Sequence, residues 1–313
     1  MFDLLLQVDP DAACFLLLLG LQMRLCRDRP LPPCALESRD LLSSSFPLPP
    51  APLKMAAAAA TAASWLKGPR GVFRTLVRSS LSSSSSSSSW SDDLLRQMDR
   101  RDAWDRFYTA KEKGALCPGH FDWFFSYEDV SGFLLSFLQS SPAGQTQILD
   151  VGCGTSALSL GLFRDSPRQL HISCLDFSPP AIDSLQQLVR ESPPPGHPLS
   201  ELHCYLADAT ALTSTFKEGS FHLILDKGTC DTLLRCPQGP GRAKTLVSEC
   251  LRVLRPTGNL LQFSDEDPDA RVPFLEQAGG VKVTVKEIAH IGGICYYAYI
   301  LSPDSSGTSG AVK

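Results

Sequence analysis

No Cys-x-x-Cys pair occurs among the 11 cysteines, and no two of the 6 histidines lie four residues apart on one predicted helix. The first absence removes the usual zinc-ribbon and thioredoxin-like spacings, the second the helical pair of metal-binding histidines. Cys174, Cys204 and Cys250 sit inside apolar segments, so reduced structural thiols and no metal are expected. Charge of one sign is not in excess either. The net charge is -4, a balance that gives no global attraction to nucleic acid or anionic lipid, and neither is expected as a partner. Long apolar runs are lacking too. AACFLLLLGLQM, residues 12–23, falls short of the roughly 20 residues of a membrane span. Its upstream flank carries Asp3, Asp9 and Asp11 where a secretory signal would carry Lys or Arg. There is no internal repeat, and the sequence carries no signal for an oligomeric state.

What is present is enough for a full core. With 313 residues, 43% apolar and 20% charged, the chain predicts one domain of about 200 residues plus extensions. Residues 1–54 form an unassigned N-terminal extension, with translation expected to start at Met55. The next stretch, 55–90, contains Lys67, Arg70, Arg74 and Arg78, a long serine tract and no acid before Asp92. Basic, serine-rich and acid-poor composition marks a transit peptide, and import into the mitochondrial matrix is the expectation. Arg70, Arg74 and Arg78 also share one helical face. Residues 91–145 are expected to form an N-terminal lid and helix, 146–302 the main domain, and 303–313 a disordered tail.

From residue 146 onward, short β-rich runs alternate with helical patterns. Strands are predicted at 147–151, 170–175, 202–206, 221–225, 258–263, 281–288 and 295–301, and helices at 156–164, 179–190, 240–254 and 269–277, with an added amphipathic helix over 124–139. Such alternation predicts an α/β fold: a mostly parallel twisted sheet of seven strands with helices on both faces, Rossmann-like. The last two strands are joined only by a turn at Gly292 and Gly293, so they should close a C-terminal antiparallel hairpin.

ILDVGCGTSALSL, residues 148–160, ends the first strand on Asp150, Gly152 and Gly154. Glycines allow a tight turn and close approach of a ligand, and Thr155 or Ser156 can cap the helix whose positive end faces the same crevice. Gly152, Gly154 and Ala157 also satisfy the loose dinucleotide pattern G-x-G-x-x-A, so this turn alone leaves the ligand open. Asp150 would repel a pyrophosphate but welcome an amino-acid ammonium, which favours S-adenosylmethionine. Asp176 closes the second strand, where a carboxylate can accept ribose hydroxyls, and Asp208 and Ala209 follow the third, beside an adenine. Each acid singly can be a loop or helix cap. Their arrival at successive strand ends on one sheet edge is the stronger pattern.

The fourth strand ends in FHLILDKGTCD, residues 221–231. With D-V-G-C-G-T-S at 150–156, this L-D-K-G-T-x-D run resembles the seven-strand class I protein-lysine methyltransferases that share an Asp-Lys-Gly-Thr signature. WDRFY (104–108), FDWFFSYEDV (121–130) and SECLRVLRPTGNLLQFSDEDPD (248–269) extend the similarity over about residues 90–301, toward the mitochondrial branch that methylates citrate synthase. The resemblance implies S-adenosylmethionine as cofactor, citrate synthase as protein partner, and cofactor contacts from Asp150, Gly152, Gly154, Asp176, Phe177, Asp208 and Ala209. It also implies an N-terminal lid around Trp104, Arg106 and Trp123, and an active-site edge at Asp226. Asp226 is expected to touch the cofactor and to act as the catalytic residue, orienting the acceptor amine or accepting its proton through water with positioning the larger part, and Lys227 to hold a loop or pair with an acid. Phe124 and Phe125 are expected in the core. Asp150 and Asp226 are not, so alanine at either should leave the fold intact. Asp267 before Pro268 predicts a helix N-cap. The other functional readings are a cofactor-binding scaffold without turnover, a small-molecule methyltransferase, and an NAD enzyme, which the Asp-Lys-Gly-Thr run argues against.

Overall fold

The computed structural model describes residue 94 and residues 97–112, 121–139, 144–236 and 238–303. The expected extension, transit segment and most of the tail lie outside the described residues.

Two helices precede the sheet, α1 (Arg101–Glu112) and α2 (Tyr127–Gln139). There follow β1 (Thr146–Val151), α3 (Leu158–Asp165), β2 (Leu170–Asp176), α4 (Pro179–Glu191) and β3 (Glu201–Leu206). Next come β4 (Phe221–Lys227), α5 (Thr229–Leu234), α6 (Gly239–Val253), β5 (Leu254–Ser264), α7 (Pro268–Gly279), β6 (Val283–Ile291) and β7 (Ile294–Leu301). The seven strands lie in the order β3-β2-β1-β4-β5-β7-β6. The first five are parallel, and β7 runs antiparallel to both β5 and β6. Gly292 and Gly293, at φ 61° and 86°, make the two-residue turn between β6 and β7, a conformation that suits the twist of a hairpin.

Alternate residues of the central strands feed two cores. Ile148, Ile172, Leu223, Leu225, Leu261 and Phe263 face one side, with Tyr127 and Leu134 of α2 and Leu158 and Leu162 of α3. Leu149, Val151, Leu175, Ile224 and Leu260 face the other, with Leu246 and Val247 of α6 and Leu275 of α7. Burial on both faces is what a parallel sheet between helices requires.

The expected sheet and its hairpin are observed, with differences at particular elements. α1 was not among the predicted helices. β5 begins at Leu254, earlier than expected, because the pairing with β4 jumps from Phe221↔Leu254 to Leu223↔Asn259, leaving Arg255–Gly258 as a bulge around Pro256. The helix predicted from 124 starts at Tyr127, since Phe124 has φ 71° and the Asp129 carboxylate accepts from both Ser126 N–H and its hydroxyl. Asp267 is the N-cap of α7, accepting from Asp269 N–H at 2.8 Å. No helix among the described residues is long and apolar enough to cross a membrane.

Candidate active site

The turn after β1 is built by three separated pieces of sequence. Gly152 and Gly154 have φ 64° and 52°, a region that disfavours side chains. Space forbids them as well: a Cβ on Gly152 would stand 2.0 Å from Thr229 Oγ1, and one on Gly154 2.4 Å from the Tyr108 hydroxyl oxygen. The Thr229 hydroxyl donates to Val151 O at 2.9 Å, so the Asp-Lys-Gly-Thr run locks the glycine turn directly. The glycines therefore admit the protein's own side chains as well as a ligand.

The positive end of α3 is not left open. Leu158 N–H donates to Ser156 Oγ at 3.1 Å, while Asp122 accepts from the Ser156 hydroxyl at 2.5 Å and from Ala157 N–H at 3.4 Å. Ser156, one of the two expected caps, is thus joined by a carboxylate from the chain before β1. A carboxylate at that spot satisfies the helix end and opposes a phosphate there, which counts against a dinucleotide.

The cavity over this turn measures about 840 Å³ including its open mouth. Of the residues expected to bind cofactor, Trp104, Asp150, Gly152, Gly154, Asp176, Phe177, Asp208 and Ala209 line it. Asp150 is 3% exposed and accepts from the Ser159 hydroxyl at 2.6 Å, and burial pushes its carboxyl up to about 6. Asp176 is also pushed up to about 6 by burial, although Gly154 N–H and Ser178 N–H donate to it at 3.0 and 2.9 Å. Asp208 is more open. It accepts from Thr210 N–H and hydroxyl at 2.8 and 2.7 Å, and the Arg242 guanidinium lies 3.8 Å from it.

Two expected site residues do not reach the cavity. Arg106 lies on the exposed face of α1 and pairs with Asp102 at 2.9 Å. Trp104 and Tyr108, four apart, share the inward face instead. Asp226 is 1% exposed and turns into the protein. One of its oxygens accepts from Thr229 N–H at 3.0 Å and Cys230 N–H at 3.3 Å, and the other from the Gln262 amide at 2.9 Å. It is committed to the start of α5 and to Gln262. Burial, with the nearby Asp231 charge second, raises its carboxyl to about 7. The expectation that Asp150 and Asp226 lie outside the core is corrected: both are buried at the inner ends of their strands.

Trp123, expected in the lid, and two residues that sequence reasoning passed over, Tyr108 and Phe121, complete the wall. Tyr108, Phe121 and Trp123 line the cavity, the Trp104 and Tyr108 rings stack at 5.9 Å, and Trp104 meets Trp123 edge-on at 6.1 Å. Lys227 pairs with Asp122 and donates to Trp123 O and Phe125 O, both at 3.2 Å, in line with its expected structural role. Burial alone would raise the Asp122 carboxyl, but Lys227 and the Ser156 hydroxyl hold it below its ordinary value. Phe125 is core, as expected. Phe124 is only half-buried.

Residues 148–258 match the model of a methyltransferase domain. The citrate synthase-lysine N-methyltransferase, mitochondrial, of Homo sapiens is 47% identical over 205 residues, covering 63% of this chain and 84% of that protein. Its counterpart in Danio rerio is 42% identical over 224 residues, covering 68% of this chain and 87% of the relative. The chain belongs to the citrate synthase-lysine N-methyltransferase family. More distantly, EEF1A lysine methyltransferase 4 of Mus musculus is 27% identical over 206 residues, covering 63% of this chain and 73% of that protein.

This methyltransferase uses S-adenosylmethionine, and the cavity suits that molecule. Buried carboxylates with raised affinity for protons have an unmet demand for a cation or for hydroxyl donors, and the ligand brings an ammonium, a sulfonium and a ribose. The ring faces of Trp104, Tyr108 and Trp123 add apolar walls attractive to positive charge.

Proposed function

We propose that this enzyme methylates a lysine side chain of citrate synthase in the mitochondrial matrix, with residues 55–90 as the address. The observation that carries the reading is the 47% identity extending over 84% of a human relative of that name. In the same reading Asp150 takes the ammonium of the cofactor's amino-acid end, Asp176 the ribose hydroxyls, and Phe177, Asp208 and Ala209 the adenine. The turn at Gly152 and Gly154 passes beneath the ligand, and Trp104 covers it.

When bound, S-adenosylmethionine supplies a methyl group already activated by its sulfonium. What this chain adds is placement and dryness. A lysine amine has an ordinary pKa of about 10.4 and must lose a proton before it can attack. An apolar passage past Trp123 favours the neutral amine by withholding water from the charged form. With Asp226 committed to Thr229, Cys230 and Gln262, it is not placed as a base, and positioning is the main contribution.

Mass spectrometry of citrate synthase from the mitochondria of cells with and without this protein tests the reading. A lysine-bearing peptide should carry methyl groups only when the protein is present. An unchanged methylation pattern would count against both the substrate and the compartment.

Cofactor affinity should depend on pH. Protonating Asp150 removes the anion that the ammonium needs, and its carboxyl stands at about 6 before ligand binds. Affinity is therefore near full above about 7 and falls by at least about tenfold for each unit below about 6, where Asp176 is protonated as well. Calorimetric titration from neutral pH down to about 5 measures this, and a flat profile would remove Asp150 from the binding role.

A further inference from the structure

Phe124 is the only non-glycine residue with positive φ among the described residues, at 71°. Phe125 N–H donates back to Trp123 O at 2.8 Å, closing a three-residue γ-turn of the rare left-handed kind around it. A bulky residue adopts this backbone only when its surroundings enforce it, and such strain gathers at functional positions. The enforcement is visible. Lys227 Nζ donates to the carbonyls on either side of Phe124, and pairs with Asp122 besides.

The turn throws the Phe124 ring onto Gly228. Its Cε2 and Cζ atoms lie 3.5 and 3.8 Å from where a Cβ on Gly228 would stand, and its centroid is 5.9 Å from that of Tyr296. The ring packs on the edge of the core only in part, whereas Phe125, next in the chain, is 3% exposed without positive φ. Sheet order supplies the reason. Asp208, Asp176 and Asp150 follow or end β3, β2 and β1, so with the roles proposed above the cofactor would run along the sheet edge toward β4, the next strand. That leaves the β4 side for an acceptor, where Lys227 and Gly228 line the cavity and the partly exposed Phe124 lies just outside it, against Gly228.

We propose that the Phe124 ring forms the outer wall of the passage by which the acceptor lysine enters, packing on its aliphatic stem and presenting a π face to its ammonium. The proposal rests on the lysine-methyltransferase reading above.

The test uses the full chain with Phe124→Ala, Phe124→Gly and Phe124→Tyr, each assayed for methyl transfer to citrate synthase and for S-adenosylmethionine binding. Alanine and glycine should each lower kcat/KM for the protein substrate by about tenfold or more, while tyrosine stays near wild type. The cofactor Kd should be unchanged in all three. Glycine should be more stable than alanine, reversing their usual order, because only glycine accepts this φ without strain. Wild-type kcat/KM for the alanine and glycine variants overturns the proposal alone. So does a loss matched by an equal loss of cofactor affinity, which would mark a structural role. A wild-type enzyme that transfers nothing to a lysine overturns the functional reading, and this inference with it.

Discussion

Asp150→Asn should yield a ligand-free enzyme more stable than the wild type at neutral pH, and one that binds S-adenosylmethionine about a hundredfold more weakly. The two effects have one cause. Burial raises the Asp150 carboxyl from 3.8 to about 6, so the ionised group is held at a cost in the folded, ligand-free chain. Between those two values the unfolded chain loses its proton first, and folding stability declines as pH rises. Above about 6 the whole cost stands, at most about 3 kcal/mol. Asparagine has the same shape, and its carbonyl can still accept from the Ser159 hydroxyl 2.6 Å away. The amide removes the charge and with it the cost. The melting temperature should therefore rise by several degrees at neutral pH, at about 2–4 °C per kcal/mol, and differ little near pH 4. In the proposed complex the charge is wanted, because a buried ammonium without its carboxylate would forfeit on the order of 3 kcal/mol. Differential scanning fluorimetry and calorimetric titration read the two effects separately. A variant that binds like the wild type and melts no higher would make Asp150 a purely structural residue.

The features legible in the sequence are those written in short stretches. Asp150, Gly152 and Gly154 are adjacent in the chain, and Gly292-Gly293 specifies its hairpin without help from elsewhere. The acids after β2 and β3 were legible because a parallel sheet brings successive strand ends to one edge. What was not legible depends on contacts between distant segments. Lys227 meets Asp122 across 105 residues, and the same ammonium bonds the carbonyls on either side of the strained Phe124. Arg106 is a different kind of miss. Once residues 101–112 are helical, Trp104 and Tyr108 point one way and Arg106 another, and that spacing is present in the sequence. Asp226 likewise stands three residues before Thr229, the interval at which an acid caps a helix start, so its inward turn could have been read from D-K-G-T.

Arg271→Met should destabilise the fold by about 3–5 kcal/mol, the usual cost of breaking a buried ion pair from one side. The Arg271 and Asp231 side chains are 2% and 7% exposed and meet at 2.5 Å. Arg271 also donates to Gln262 Oε1 at 3.0 Å and Ser264 Oγ at 3.1 Å. Asp231 Oδ2 has no hydrogen-bond partner, so loss of the guanidinium would leave a buried charge supported chiefly by the Ser264 hydroxyl at 2.7 Å. The double change Arg271→Met/Asp231→Asn removes both charges and should recover much of that stability in urea unfolding. Cofactor affinity should recover less. Gln262 joins Arg271 to Asp226, Asp226 accepts from Thr229 N–H, and the Thr229 hydroxyl bonds Val151 O beside Gly152. Without the guanidinium, Gln262 is free to turn in both variants, and the glycine turn loses a support that replacing Asp231 does not restore. If the single variant loses less than about 1 kcal/mol, the pair behaves like a solvated surface bridge. If affinity returns in step with stability, the chain from Arg271 to the glycine turn transmits nothing.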